Sequence, residues 1–542
     1  MKINLKSVLL WVGMSLIMSV PCALAHTDVT AEQARELIDS TDDLMVIDVR
    51  EPSEYSDTGG HIPGALNYPL YSGVLLTRYE ELPMDGPVLV VCGSGSRSHQ
   101  AAKFLDSKDF SMVYDMQAGM SAWIWETETG VDTNIKYGGG TGEPNDPYQI
   151  ATAKDLMLLG ESPEDYGKHF ILTADIDLDP NLPGRKVFDK AVIAPDTNPG
   201  TAWDFEGLAF TGVFNGNGHT IWRLTVEGES HLGLFGQLGL DADVRDLRLV
   251  DIDVFGPGAC VGGLVGCNSQ GNVTNCHCIG SVGSQSAAGG LVGWNYGGIV
   301  TQCHSSGSVS GAFSLGGVVG QNEGTIIACC STSAVSGNGG VGGLVGVNDR
   351  GTVTDSCSRG AVNGWRAVGG LLGWNLGTVL NSYSVGSVEE TGGDGADIGG
   401  LVGCDHEEDD FGVVSDSFWD IQTSGQAASD GGTGKTTVEM QTAKTFTGAG
   451  WDFVGETANG TEDIWSICEG TNYPRLVWQI PAGDFVCPDG ITIDDFLFFM
   501  EHWLDDNCDS SNDYCQGTDL DQSGTVDITD LEILFENWLA EK

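Results

Sequence analysis

Two short stretches carry residues whose types and spacing could do chemistry. In "VVCGSGSRSHQAA" a single cysteine, Cys92, ends an apolar run and opens a loop of Gly93, Ser94, Gly95 and Ser96 that closes on Arg97. Glycines there let successive backbone N–H groups turn inward on one atom, and a helix beginning at the serines adds the positive end of its dipole. Both effects favour a thiolate, and the Arg97 guanidinium supplies a charge for an anionic reactant. The second stretch is "DLDQSGTVDITD". Asp519, Asp521, Ser523, Thr525 (through its carbonyl), Asp527 and Asp530 stand at positions 1, 3, 5, 7, 9 and 12 of a loop, with Gly524 at the sharp turn. Oxygen ligands at that spacing suit Ca²⁺.

Each stretch needs elements to position it. Around Cys92, "LMVIDV" and "GPVLVVC" read as buried strands, while "AEQARELI" and "SRSHQAAKFL" read as helices. This alternation argues for a parallel α/β sheet with Cys92 at the carboxyl end of a strand, where open sheets of this kind place their sites. The blocks "VIDVREPSEY…GGHIPGALNYPL", "CGSGSR" and "QAGMSAW" occur in order within residues 27–130 and resemble a rhodanese domain. That resemblance implies sulfur transfer through a persulfide on Cys92, with Arg97 beside it and Gly93, Ser94, Gly95 and Ser96 forming the loop. Asp48, Arg50 and Glu54 are expected to brace the active-site side of the sheet, and His61 to make a structural hydrogen bond. The implied reactants are a sulfur-donor anion and a thiol or cyanide acceptor. The six-residue span from Cys92 to Arg97 matches sulfur-transferring members rather than phosphatase relatives, which carry one residue more.

Beyond residue 140 the composition turns to glycine, and a repeat emerges. "GGLVGCN", "GGLVGWN", "GGVVGQN", "GGLVGVN", "GGLLGWN" and "GGLVGCD" start at Gly262, Gly289, Gly316, Gly342, Gly369 and Gly399, in steps of 26 to 30 residues. A period near 27 with short β-branched runs predicts an all-β parallel solenoid over residues 140–480, clearest across 232–405. The units resemble GLUG repeats. "ATAKDLMLLG" is expected to be a helix capping the open end. Aligned repeats put Cys276, Cys303, Cys329, Ser356 and Ser382 in one column and His277, His304, Cys330, Cys357 and Tyr383 in the next. Neighbouring positions on a strand face opposite ways, so the two columns are read as stacks of packed residues rather than a metal site. Some disulfides are left open, although stacked parallel cysteines aim their Cβ vectors poorly for them. Trp294 and Trp374 are read as packing residues, and Asp405, Asp409 and Asp410 as a solvated loop.

Residues 484–542 are read as a small α module. "TDLEILFENWL" repeats "DDFLFFMEHWL", and with the Asp-terminated loop it resembles a dockerin, which implies a cohesin-like or cell-surface partner. The earlier loop, "DFVCPDGITIDD", lacks carboxylates at Val486, Cys487 and Pro488, and Cys508–Cys515 is a candidate bridge.

Composition bounds the rest. The 542-residue chain holds 76 acidic and 24 basic residues, a formal charge of −52, which disfavours nucleic-acid partners and favours cations. Lys2 and Lys6 before an apolar run, with Ala23-Leu24-Ala25, predict a signal peptide over residues 1–25 cut near Ala25/His26. A secreted, surface or periplasmic location follows, with no membrane span after cleavage, and fifteen cysteines suit such an oxidising compartment. No organic cofactor is expected. The leading functional expectation is an exported thiosulfate-type sulfurtransferase on a repeat scaffold with a calcium-dependent docking tail. The alternatives are a non-catalytic adhesion or scaffold protein, and a carbohydrate-active β-helix.

Overall fold

The computed structural model describes residues 26–41, 44–55, 59–79, 82–84, 86–108, 110–129, 136–198, 200, 203–392, 397–407, 410–487, 490–508 and 513–540. The expected signal peptide, Pro488 and Asp409 lie outside them. The chain divides into two compact units, residues 1–136 and 137–542.

The first unit is a five-stranded parallel sheet in the order β1-β5-β4-β2-β3, with β1 Thr27–Val29, β2 Met45–Asp48, β3 Leu66–Asn67, β4 Pro87–Val91 and β5 Met112–Met116. Its central strand, β4, is apolar throughout because both of its faces are covered. Val88 and Val90 join one cluster with Ala101, Ala102 and Leu105 of the helix α1, Ser96–Asp106, and Leu89 and Val91 join the other with Ala31 and Ala34. All four valine and leucine side chains are fully buried, each contributing about 1.5–3 kcal/mol relative to exposure.

The second unit opens with a short strand, Tyr148–Ile150, and the helix Ala153–Gly160, held at its start by a capping box between Thr152 and Asp155. A parallel β-solenoid of about eleven turns follows. Its strands form three sheets, and the repeat motif sits in the seven-stranded one, where Val265, Val292, Val319, Val345, Leu372 and Val402 pair in succession. The leading glycine of the motif is dictated by proximity: a Cβ on Gly289 would lie 1.9 Å from the Val292 carbonyl oxygen. The last motif residue builds a ladder. Asn268, Asn295, Asn322, Asn348 and Asn375 are all fully buried, and each of the first four side-chain amides donates to the next one's oxygen at 2.8–2.9 Å. Such a ladder satisfies groups whose burial would otherwise be costly. One corner of each coil is set by a left-handed residue: Asn275, Gln302, Ala328, Asp355, Asn381 and Asp416 all have φ between 46° and 52°.

The two expected columns stack as ladders, His277 pairing with His304, His304 with Cys330, Cys330 with Cys357 and Cys357 with Tyr383. One stacked pair departs from the expectation for parallel cysteines: Cys330 and Cys357 are disulfide-bonded, their Cα atoms 4.6 Å apart and so within bridging range. The stack of parallel strands ends at Thr433–Lys435, short of residue 480. Residues beyond it fold back on the sheet, burying Phe446, Trp451, Phe453 and Trp465 with Tyr383 and Phe418 in an aromatic cluster.

The carboxyl-terminal segment contains the helices Ile493–Glu501 and Ile528–Ala540 around Ile491, Phe499, Val526 and Leu534. Cys508 is bonded to Cys515, and Cys468 to Cys487. No helix among the described residues is long and apolar enough to cross a membrane.

Candidate active site

Cys92 sits just past the end of β4 and is 1 % exposed. The Gly95 N–H donates to its sulfur at 3.1 Å, and Ser98 Oγ lies 3.5 Å from it. Gly95 holds this position in the left-handed region (φ 91°), where a Cβ would lie 1.4 Å from the Gln117 carbonyl oxygen. The loop is clamped from the "QAGMSAW" block, because Met120 N–H donates to the Cys92 carbonyl at 2.7 Å and Ser121 N–H to the Gly93 carbonyl at 3.0 Å. Two blocks separated in sequence thus become one structure: the second holds the backbone that shapes the first. Ser94 and Ser96 are exposed, whereas Ser98, which the sequence reading did not single out, is fully buried against the cysteine.

The charged residues divide into two pairs. Arg50 clasps Asp48 through Nε and Nη2 at 2.7–3.1 Å and donates to the Gly60 carbonyl at 2.9 Å, all of it buried. Asn67 ties both backbones by donating to the carbonyls of Asp48 and Arg50. This pair braces the sheet. Glu54 does something else. Its two oxygens accept from Arg97 Nη1 and Nη2, both at 2.6 Å, beside the cysteine loop. The hydrogen bonds from Arg97 hold the Glu54 carboxyl at about 2, well below the ordinary carboxylate range, and the same bonds push the Arg97 guanidinium further up. Arg97 also stands against the loop, since a Cβ on Gly93 would lie 3.6 Å from its Nη2. His61 donates from Nδ1 to the Tyr55 carbonyl at 3.1 Å and stacks on the Tyr55 ring, a structural arrangement.

In the carboxyl-terminal loop, carboxylate oxygens of Asp519, Asp521 and Asp530 lie within 4.8 Å of one another. Asp519 and Asp530 are buried, and backbone N–H groups fix all three: Ser523 and Gly524 donate to Asp519, Ser523 to Asp521, and Asp521 and Asp527 to Asp530. Burial pushes the Asp519 carboxyl up, while the Ser523 hydroxyl holds Asp521 down. Ser523 Oγ donates to the Thr525 carbonyl, and Asp527 caps the following helix at Thr529 N–H. Buried carboxylates converging without a cationic side chain among their described ion pairs fit a hard divalent cation. In the earlier loop Asp495 plays the Asp530 part, accepting from Phe485, Val486 and Thr492 N–H groups.

Comparison with known proteins agrees with the geometry. Residues 30–125 match the rhodanese-like domain family, and residues 284–310 match the GLUG motif. A sulfurtransferase from Allochromatium vinosum is 31 % identical over 96 residues, covering 18 % of this chain and 86 % of that protein. A thiosulfate sulfurtransferase from Pseudoalteromonas translucida is 33 % identical over 100 residues, covering 18 % and 90 %. Halomucin from Haloquadratum walsbyi is 30 % identical over 188 residues, 32 % of this chain but 2 % of that protein. Through its first unit, the chain belongs to the rhodanese-like domain family.

Proposed function

We propose that the protein is an exported sulfurtransferase whose reactive group is Cys92. The observation that carries this reading is the loop itself, with a buried sulfur that accepts the Gly95 amide and the Arg97 guanidinium standing against Gly93. The Cys92 thiolate attacks the outer sulfur of thiosulfate, a new S–S bond forms, the donor's S–S bond breaks, and sulfite leaves with that electron pair. The persulfide anion takes the place of the thiolate among the loop amides, which stabilise it as an oxyanion hole stabilises oxygen. A thiol or cyanide then attacks the terminal sulfur and returns Cys92 as thiolate. Arg97 orients the anionic donor, and Asp48 with Arg50 keeps the neighbouring strand ends in place.

The GLUG solenoid is read as the scaffold that carries this domain. Asp519, Asp521 and Asp530, with Ser523, Thr525 and Asp527, would hold Ca²⁺, which would supply the positive charge that orders the loop. The tail is thereby a dockerin-like module with a cohesin-like or surface receptor as partner. Thiosulfate–cyanide turnover by the full chain, abolished in Cys92→Ala, tests the catalytic reading. A wild-type protein without turnover for any thiosulfate and acceptor pair leaves the adhesion or scaffold reading.

A further inference from the structure

A second constellation in the first unit shares no residue with the Cys92 loop. His26 precedes β1, Asp28 lies on β1, Asp115 on β5, and His99 and Asp106 on α1. Strand pairing sets Asp28 opposite Asp115. His26 Nε2 lies 3.2 Å from His99 Nδ1 and 3.7 Å from Asp28 Oδ1, and His99 Nδ1 lies 3.1 Å from Asp115 Oδ2. These four ligand atoms all fall within 4.8 Å of one another.

We infer that His26, His99, Asp115 and Asp28 form a binding site for one zinc-type divalent transition-metal ion. Three independent features support it. The separations of 3.1–3.7 Å bracket the edge of a tetrahedron with bonds near 2.0–2.1 Å, which is about 3.3 Å. His26 Nδ1 lies 2.6 Å from Asp106 Oδ2, so the proton between them belongs on Nδ1 and leaves Nε2 as a bare lone pair facing the cluster. A carboxylate behind a ligating imidazole is the usual supporting partner of a metal-bound histidine. Asp115 is 1 % exposed, and its Oδ1, like Oδ1 of Asp106, is buried without a hydrogen-bond partner.

Without a metal the arrangement is hard to satisfy. A single proton on His99 Nδ1 would have to serve both the His26 nitrogen and the Asp115 oxygen. Three carboxylates face two imidazoles, an excess of negative charge that one dication offsets. Two nitrogen and two oxygen donors favour Zn²⁺ over Ca²⁺ or Mg²⁺, which take oxygen alone. The His99 side chain is 43 % exposed and provides the entry path.

The test uses the full chain as a Cys92→Ser variant, so that no active-site thiolate competes for the metal. Titration with Co²⁺ should produce the intense visible absorption of a tetrahedral centre, displaced by one equivalent of Zn²⁺. His99→Gln should abolish the band, and Asp106→Asn should weaken binding roughly 10- to 100-fold. Zn²⁺ affinity unchanged in His99→Gln overturns the assignment. Should that variant fail to fold, the unaltered site still decides: only the weak absorption of octahedral Co²⁺, as the all-oxygen tail loop would give, overturns it equally.

Discussion

The guanidinium of Arg97 spans both oxygens of Glu54, with the two N–O distances equal at 2.6 Å, although 43 residues separate them. The guanidinium closing the Cys92 loop is therefore already engaged by a carboxylate, and Glu54 determines where Arg97 stands before a donor arrives. Forked geometry of this kind is specific to arginine. Arg97→Lys keeps the charge but loses the fork, so kcat/KM for thiosulfate should fall roughly 10- to 100-fold, the worth of one charge-assisted hydrogen bond. Steady-state kinetics at fixed acceptor check this.

The same pair makes an acid-dependent contribution to stability. Its bonds to Arg97 lower the Glu54 carboxyl to about 2 in the folded chain, so the stabilisation is complete above the ordinary glutamate value near 4.5 and disappears as pH falls toward 2. Wild type and Glu54→Gln should differ in the melting of the first unit at pH 6 and converge near pH 2. Scanning calorimetry over that range reads both.

The asparagine ladder makes a sharper prediction for the solenoid. Asn322 accepts from Asn295 and donates to Asn348, all fully buried. Asn322→Ala strands a donor on one side and an acceptor on the other, at about 1–3 kcal/mol each. Chemical denaturation of the variant should show that loss. Asn322→Asp should be at least as damaging, since it buries a charge facing an oxygen.

His277 and His304, stacked on successive coils, are both held down to about 4, chiefly by burial, with the positive charge of Arg248 adding to it in each. The unfolded chain binds protons on these rings from about 6.5 downward while the folded chain does not, so solenoid stability should fall as pH drops from 6.5 to 4. The loss is up to about 3 kcal/mol per ring. Replacing both with Gln should flatten that slope in urea titrations at several pH values.

Local order in the chain made much of this legible. The glycine loop around Cys92, the strand before it and the 27-residue period are each written in contiguous residues, because strand and turn chemistry is local. What stayed hidden was set by distant contacts. Glu54 reads as another brace beside Asp48 until the fold carries it to Arg97. The motif asparagine is visible in five of the six repeats, yet its buried amide ladder exists only once coils stack in register. Cys330 and Cys357 look like members of a packing column, and only the local approach of their backbones to 4.6 Å joins them. Ser98 lacks any motif of its own, and its role follows from one turn of α1.

For the tail, millimolar Ca²⁺ should raise the melting temperature of the carboxyl-terminal segment, by about 2.7 kcal/mol of added stability at a hundredfold excess over Kd. Asp519→Ala combined with Asp530→Ala should remove the response. Circular dichroism of the full chain with and without chelator reads it.

The central claim concerns one sulfur atom. Mass spectrometry of the Cys92 peptide after exposure of the folded protein to thiosulfate should show one added sulfur, removed by cyanide with release of thiocyanate and missing in Cys92→Ala. An unmodified Cys92 peptide, recovered from folded protein under saturating thiosulfate, would contradict sulfur transfer by this loop.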